Sequence, residues 1–123
     1  MPYMVYFYMP PIKILFYLDK KTGQSPAQCW LNNLDADARE AGFARIRLLS
    51  EFGHELRRPH CENLGKGIYE LRWKVNRVNY RLLYFFNGKD VVILSHGFTK
   101  QQSKVPEKEI KLAIARKRES REM

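Results

Sequence analysis

Residues 67–98 read GIYELRWKVNRVNYRLLYFFNGKDVVILSHGF, and this stretch leaves little choice of structure. It is rich in β-branched and aromatic residues and is cut once by Asn87-Gly88-Lys89. An Asn-Gly step between apolar runs is the strongest short-range hairpin signal, because the tight turns that match strand twist need positive φ. Three antiparallel strands are expected: IYELRWK, VNYRLLYFF and DVVILSHGF. In the first, Tyr69, Leu71 and Trp73 share one face while Glu70, Arg72 and Lys74 share the other. The second alternates less cleanly, as a half-buried central strand would. The third is the most apolar. Against this pattern, Arg72, Lys74, Arg77 and Arg81 place four cations where a core strand needs none.

The flanking segments supply helices. IKILFYLD, residues 12–19, reads as a strand, and KKTGQ after it as a turn. Ser25-Pro26-Ala27-Gln28 is a helix start, with Ser25 as N-cap, Pro26 at the first helical position and Gln28 reaching back. A short helix over 26–32 follows. A second helix begins near Asp35, since Leu34, Ala38, Gly42, Ile46 and Leu49 recur at helical spacing and Phe52 continues the stripe. Arg39, Glu40, Arg45, Arg47 and Glu51 fall largely outside it, and Gly53 is a natural C-cap. ELRRPHCENLGKG reads as loop. Pro106 opens a last helix over about 106–118. The order β-α-α-β-β-β-α predicts an α+β fold, with a helix hairpin on a small antiparallel sheet, helices on one sheet face, and a C-terminal helix.

The chain of 123 residues suits one domain, over 12–118, with residues 1–11 as an N-terminal extension and 119–123 as a basic and polar tail. Apolar residues at 45% exclude a disordered chain. In the apolar start, Pro10-Pro11 and Lys13 break the run, no small-residue cleavage site appears, and no stretch approaches the ~20 apolar residues of a membrane helix. A soluble, cytoplasmic protein without membrane contact is expected. Cys29 and Cys61 are read as reduced thiols.

The net charge of +9 is unevenly placed. Residues 1–62 hold eight basic and seven acidic side chains; residues 66–81 hold five basic and one acidic, and 100–123 eight basic and four acidic. Such an excess favours an anionic partner, most simply nucleic acid or an acidic protein. Arg72 and Arg81, with the loop residue Arg77 nearby, suit phosphate, because the planar guanidinium binds oxygen pairs and stays charged. Tyr80 and Tyr84 are placed to stack on unpaired bases. The expected site is a concave polynucleotide groove on the uncovered sheet face. The alternative is that Arg72 pairs with Glu70 or helix carboxylates and only solubilises the sheet. His96, before Gly97, is a candidate for proton transfer near pH 7, or a hydrogen-bonded structural histidine. His54, His60 and Cys61 share a loop, but zinc needs a fourth ligand and better spacing. No phosphate-binding glycine loop, nucleophile elbow or catalytic carboxylate pair is visible.

Four motifs stand in order: LGKGIYELR, YRLLYF, HGFTK and KVPEKEI. With FYLDKKTGQSPAQCWLNNLD and LLSEFGHEL upstream, the chain over roughly 12–118 resembles the HigB-like, phage-derived branch of the RelE/ParE toxin superfamily. The resemblance implies a toxin of a type II toxin–antitoxin pair that cuts mRNA in the ribosomal A site without metal or other cofactor. The 2′-hydroxyl attacks the adjacent phosphate, and cations stabilise the added charge. Carried over by motif, Arg72 and Arg81 would polarise the phosphate, with Lys100 as the basic group after HGF. Lys74, Arg77 and Lys104 would make secondary contacts to mRNA or 16S rRNA, and Tyr80 or His96 would assist proton transfer. RelE relatives carry a tyrosine shortly after the last strand; TKQQSKVPEKE has none. The implied partner is a cognate helix-turn-helix antitoxin, through which alone the complex would meet operator DNA.

Two other readings share this fold. One is a non-enzymatic inhibitor of DNA gyrase, as in ParE toxins; the other is a non-toxic relic that only binds its antitoxin or nucleic acid. Cations converging on one cleft favour the nuclease, cations spread over a flat surface and the last helix favour the inhibitor, and missing proton-transfer groups favour the relic.

Overall fold

The computed structural model describes residues 12–100 and 104–121, with the backbone alone of Lys100. The expected N-terminal extension lies outside the described residues. The chain order is β1 (Lys13–Phe16), α1 (Pro26–Asn32), α2 (Ala36–Phe52), a short 3-10 turn (Gly53–Glu55), β2 (Cys61–Gly65), β3 (Ile68–Val75), β4 (Val78–Phe86), β5 (Val91–Lys100) and α3 (Glu107–Arg121). The α+β class and the helix pair match the reading from sequence. Ser25 Oγ accepts from the Gln28 amide at 3.1 Å, Pro26 stands at the first helical position, and Gly53 ends α2 at φ 52°.

The five strands lie in the order β1-β5-β4-β3-β2. β2 through β5 form an antiparallel meander, and β1 adds to β5 in parallel, Lys13 opposite Val91 and Phe16 opposite Leu94. β2 falls where a loop was expected. Its sequence, CENLG, has too few apolar residues to announce a strand, and it sits at the sheet edge, where little burial is needed.

The sheet is buried on both faces. Leu71, Trp73, Tyr80, Leu82, Tyr84, Val92 and Leu94 meet Ala27 and Leu31 of α1 and Ala38 and Leu49 of α2. On the other face Ile68, Leu83, Phe85 and Ile93 meet Ala113 and Ile114 of α3. This explains why β4 alternates poorly in sequence: a strand covered on both sides reads as a continuous apolar run. It also corrects the placement of all helices on one face. Leu83, Phe85 and Ile93 need cover of their own, and α3 supplies it.

β4 and β5 change register between Leu83–His96 and Tyr84–Leu94, leaving Ser95 as the extra residue of a bulge. Ser95 and His96 consequently both reach α3: the Ser95 carbonyl accepts from Arg116 at 3.0 Å, and His96 Nε2 lies 3.7 Å from Glu109. α3 runs past the expected boundary at 118. Tyr17 donates to Glu119 at 2.8 Å, Lys20 pairs with the same carboxylate, and the Arg116 guanidinium lies 4.6 Å from the Tyr17 ring centre. No described helix is long and apolar enough to cross a membrane.

Candidate nucleic-acid interface

Alternation along β3 and β4 turns Arg72 and Arg81 away from the helix pair, since their neighbours Leu71, Trp73, Tyr80 and Leu82 all pack in that core. The strand register sets Arg72 directly opposite Arg81. Two like charges at such a cross-strand pair repel. The sequence resolves this with Glu70, whose carboxylate lies 3.5 Å from Arg81 Nε and 3.9 Å from Arg72 Nε. A second carboxylate, Glu62 on β2, stands opposite Glu70 in register. Its Oε2 accepts from Arg72 Nη1 at 2.9 Å and its Oε1 from Arg58.

The result is a ladder of alternating charge: Arg58, Glu62, Arg72, Glu70, Arg81. It runs from solvent inward. Side-chain exposure falls from 74% at Arg58 through 26% at Arg72 to 9% at Arg81, and Glu70 is fully buried. Burial lowers the affinity of the Arg81 guanidinium for its proton; Glu70 opposes that fall and Arg72 adds to it. The side chain still carries its charge, because guanidinium starts far above any working pH.

Above the inner end of the ladder is an open depression of about 250 Å³, lined by Arg45, Pro59, Arg72, Lys74, Asn79 and Arg81 among others. Arg45 arrives from α2. β2 pairs with β3 only as far as Leu71, which leaves the Arg72 carbonyl open at the sheet edge, and Arg45 Nε donates to it at 3.1 Å. Lys74 is exposed, one step along the face from Arg72, and its register partner is Asn79. Asn79 pairs on its other side with the backbone of Lys100, the last residue of β5. Arg77 is exposed at the tip of the β3–β4 turn, where Asn76 and Arg77 take φ of 51° and 68°.

Several expected site residues lie elsewhere. Tyr80 is buried on the opposite face, stacked on Trp73 with ring centres 5.8 Å apart, so it cannot serve a phosphate held by Arg72 and Arg81. Tyr84 is 1% exposed and stacks on Tyr69 in the same core; burial pushes its hydroxyl pKa well up. Neither ring is open to a base. The large apolar faces of both rings are used in the core, and alternation puts them there.

His96 shares the face of the arginines but is buried beneath α3, with Ser95 Oγ 2.8 Å from its Nδ1. Burial, helped by Arg116, lowers its pKa to about 4. Lys104 is exposed beside Leu64, Pro106 and Ile110 at the start of α3, apart from the depression. The face expected to be uncovered is therefore covered by α3 over its apolar part, and only its charged end is open.

The alternative weighed for Arg72, pairing with Glu70, is present, and it coexists with the clustering of cations. Arg45, Arg58 and Glu62 were not singled out from sequence as site residues. Arg45 lay only as one of several charges outside a helical stripe. Glu62 was in an apparent loop, and only the β2–β3 pairing reveals its position. Of the His54, His60 and Cys61 group, the Cys61 thiol is buried and donates to the Leu56 carbonyl, while His54 stacks on Phe86. Among the described residues no group of His, Cys, Asp or Glu is arranged to hold a metal ion.

The family model described as "Phage derived protein Gp49-like (DUF891)" matches residues 29–118, which include every member of the charged ladder. None of the curated proteins compared matches the chain.

Proposed function

The chain belongs to the Gp49-like family of phage-derived proteins, and on that premise we propose that it is a toxin of a type II toxin–antitoxin pair that cuts mRNA on the ribosome. The resemblance of its motifs to HigB-like members of the RelE/ParE superfamily supports the same reading. The observation that carries it is convergence: Arg45, Arg72, Lys74 and Arg81 border one depression instead of dispersing over a flat surface.

In the proposed reaction a phosphodiester lies over this depression. The 2′-oxygen attacks the adjacent phosphorus, the bond to the 5′-oxygen breaks, and a cyclic phosphate and a free 5′-hydroxyl result. Arg72 and Lys74 stabilise the charge that builds on the phosphate, while Arg81, fixed by Glu70, adds positive potential from beneath. Tyr80 and His96 have no part in this. The proton of the 2′-hydroxyl passes to water or to a group of the ribosome, which also orients the strand, and the departing 5′-oxygen takes up a proton from water.

One observation favours a second reading. Both expected proton-transfer side chains are withdrawn, and both arginines are ion-paired, as suits a protein that binds RNA or an antitoxin without cutting.

Induced expression of the wild type beside Arg72→Ala and Lys74→Ala, with mapping of 5′ ends on translated mRNA, decides between them. New ends at ribosome-engaged codons, lost in both variants, support the nuclease. Growth arrest without new ends removes it and points to another target. Folded protein with neither effect supports the non-cutting form.

A further inference from the structure

Glu62 sits between two guanidiniums. Its two oxygens are divided between two guanidiniums, Oε1 accepting from Arg58 and Oε2 from Arg72. A phosphodiester presents two anionic oxygens in the same way, and arginine is the side chain best suited to such pairs. The two carboxylates of the ladder differ in one respect. Glu70 is fully buried and fixed, whereas Glu62 keeps 28% of its side chain exposed and its partner Arg58 keeps 74%. An ion pair this open is weakly held, so an incoming anion can displace it.

Beyond Glu62 the surface opens into a cavity of about 560 Å³, walled by His54, Arg58, Glu62, Asn63 and Tyr69. Two aromatic stacks border it. His54 lies on Phe86 with ring centres 3.6 Å apart, and Tyr69 lies on Tyr84 at 5.4 Å. His54 is exposed and Tyr69 partly so. Rings so placed offer stacking to a base of any sequence.

We infer that Arg58 and Arg72 form a second phosphate subsite, occupied by the Glu62 carboxylate until RNA arrives. Through it a single RNA strand runs from the depression at Arg72 and Arg81 into the cavity at His54 and Tyr69. Glu62 thereby sets the affinity of the protein for RNA, as an internal competitor. This rests on the RNA reading given above.

The test is binding of a fluorescently labelled single-stranded RNA hexamer to the full chain, followed by anisotropy over a range of salt. Glu62→Gln keeps the shape and removes the charge. It is expected to tighten binding about three- to tenfold and to steepen the slope of log K against log salt by ~0.7, the value of one further phosphate contact on a single strand. Adding Arg58→Ala to Glu62→Gln is expected to return both quantities to wild type. An unchanged slope in Glu62→Gln overturns the subsite. So does a gain that survives Arg58→Ala, which would then not run through Arg58. Arg58→Ala alone, at an exposed position, gives a second arm if Glu62→Gln folds poorly: it is expected to make the slope shallower by a similar amount, and no change overturns the subsite. Lys74→Ala separates the two levels. If it weakens binding while Glu62→Gln changes nothing, RNA binding stands and the subsite falls. If neither wild type nor any variant binds the hexamer, the RNA reading falls and the subsite with it.

Discussion

The Glu70 carboxylate lies 3.5 Å from the Arg81 guanidinium, and the pair is sealed under the charged end of the sheet, Glu70 fully buried and Arg81 9% exposed. Such a pair contributes little net stability when complete, yet losing Arg81 leaves the buried Glu70 with only the more distant Arg72, 3.9 Å away, to balance its charge. Arg81→Ala is expected to destabilise the fold by about 3–5 kcal/mol, and Glu70→Leu with Arg81→Met to recover most of it. Urea unfolding of the single and double variants checks this. It follows that lost activity in Arg81→Ala would report on folding.

Lys74 is the cleaner probe of function. It is exposed and makes no ion pair among the described residues. Lys74→Ala should leave the unfolding midpoint unchanged to within about 0.5 kcal/mol. If the protein cuts mRNA as proposed, cleavage by this variant should fall by roughly one to two orders of magnitude, below the loss of a fully buried oxyanion donor. Unfolding by circular dichroism and cleavage by 5′-end mapping measure the two separately.

His96 gives a dependence on pH. Its folded pKa of about 4 lies below the ordinary histidine value of about 6.5, because burial and Arg116 disfavour the cation. The unfolded chain therefore binds the proton more readily. The stabilisation is fully present above pH ~6.5 and is lost as pH falls toward 4. Glu109, 3.7 Å from Nε2, and the Ser95 hydroxyl on Nδ1 are the other polar groups facing the ring. Compared with wild type, His96→Gln should show a flatter loss of stability between pH 6.5 and 4, seen by thermal melts across that range.

Gly97 has no room for a side chain. A Cβ there would come within 2.1 Å of the Trp30 ring, and Trp30 in turn packs edge-on to Trp73. Gly97→Ala is expected to push α1 off β5 at a cost of about 1–3 kcal/mol, visible as a lower melting temperature and a shift in tryptophan emission.

The end of α3 can be checked by truncation. A chain ending at Arg118 loses the Tyr17–Glu119 hydrogen bond and the Lys20 pair. Both are open to water, so a small fall in the urea midpoint is expected, measured by urea unfolding.

The parts of the fold that were legible were those with local causes. Ser25-Pro26 fixed the start of α1, Gly53 the end of α2, and Asn87-Gly88 the β4–β5 turn. β2 was not legible, because its reason for being a strand lies in β3. The same gap hid Glu62, whose partner Arg72 is ten residues away and meets it only through that pairing. Tyr80 lies away from the arginines for the opposite reason. Alternation already placed it with Trp73, but a tyrosine beside an arginine invites a catalytic reading that the face it occupies forbids. His96 looked exposed to chemistry only because the bulge at Ser95, which turns it under α3, has no signature in SHGF.

The parallel pairing of β1 with β5 sets the order in which the molecule can be assembled. Lys13 is among the first described residues to leave the ribosome, yet its partner Val91 is among the last strand residues made. The meander from β2 to β5 closes through short turns with little loop entropy, whereas β1 must wait across the whole intervening chain. Ile14 and Phe16, which pack on the helix-pair core, can meet α2 early, the Ile12 amide donating to the Ser50 carbonyl at 2.8 Å, but gain their strand partner only when β5 emerges. The first described strand therefore cannot pair with the sheet until its last strand is made, and until then the outer edge of β5 is open to any extended segment that reaches it first.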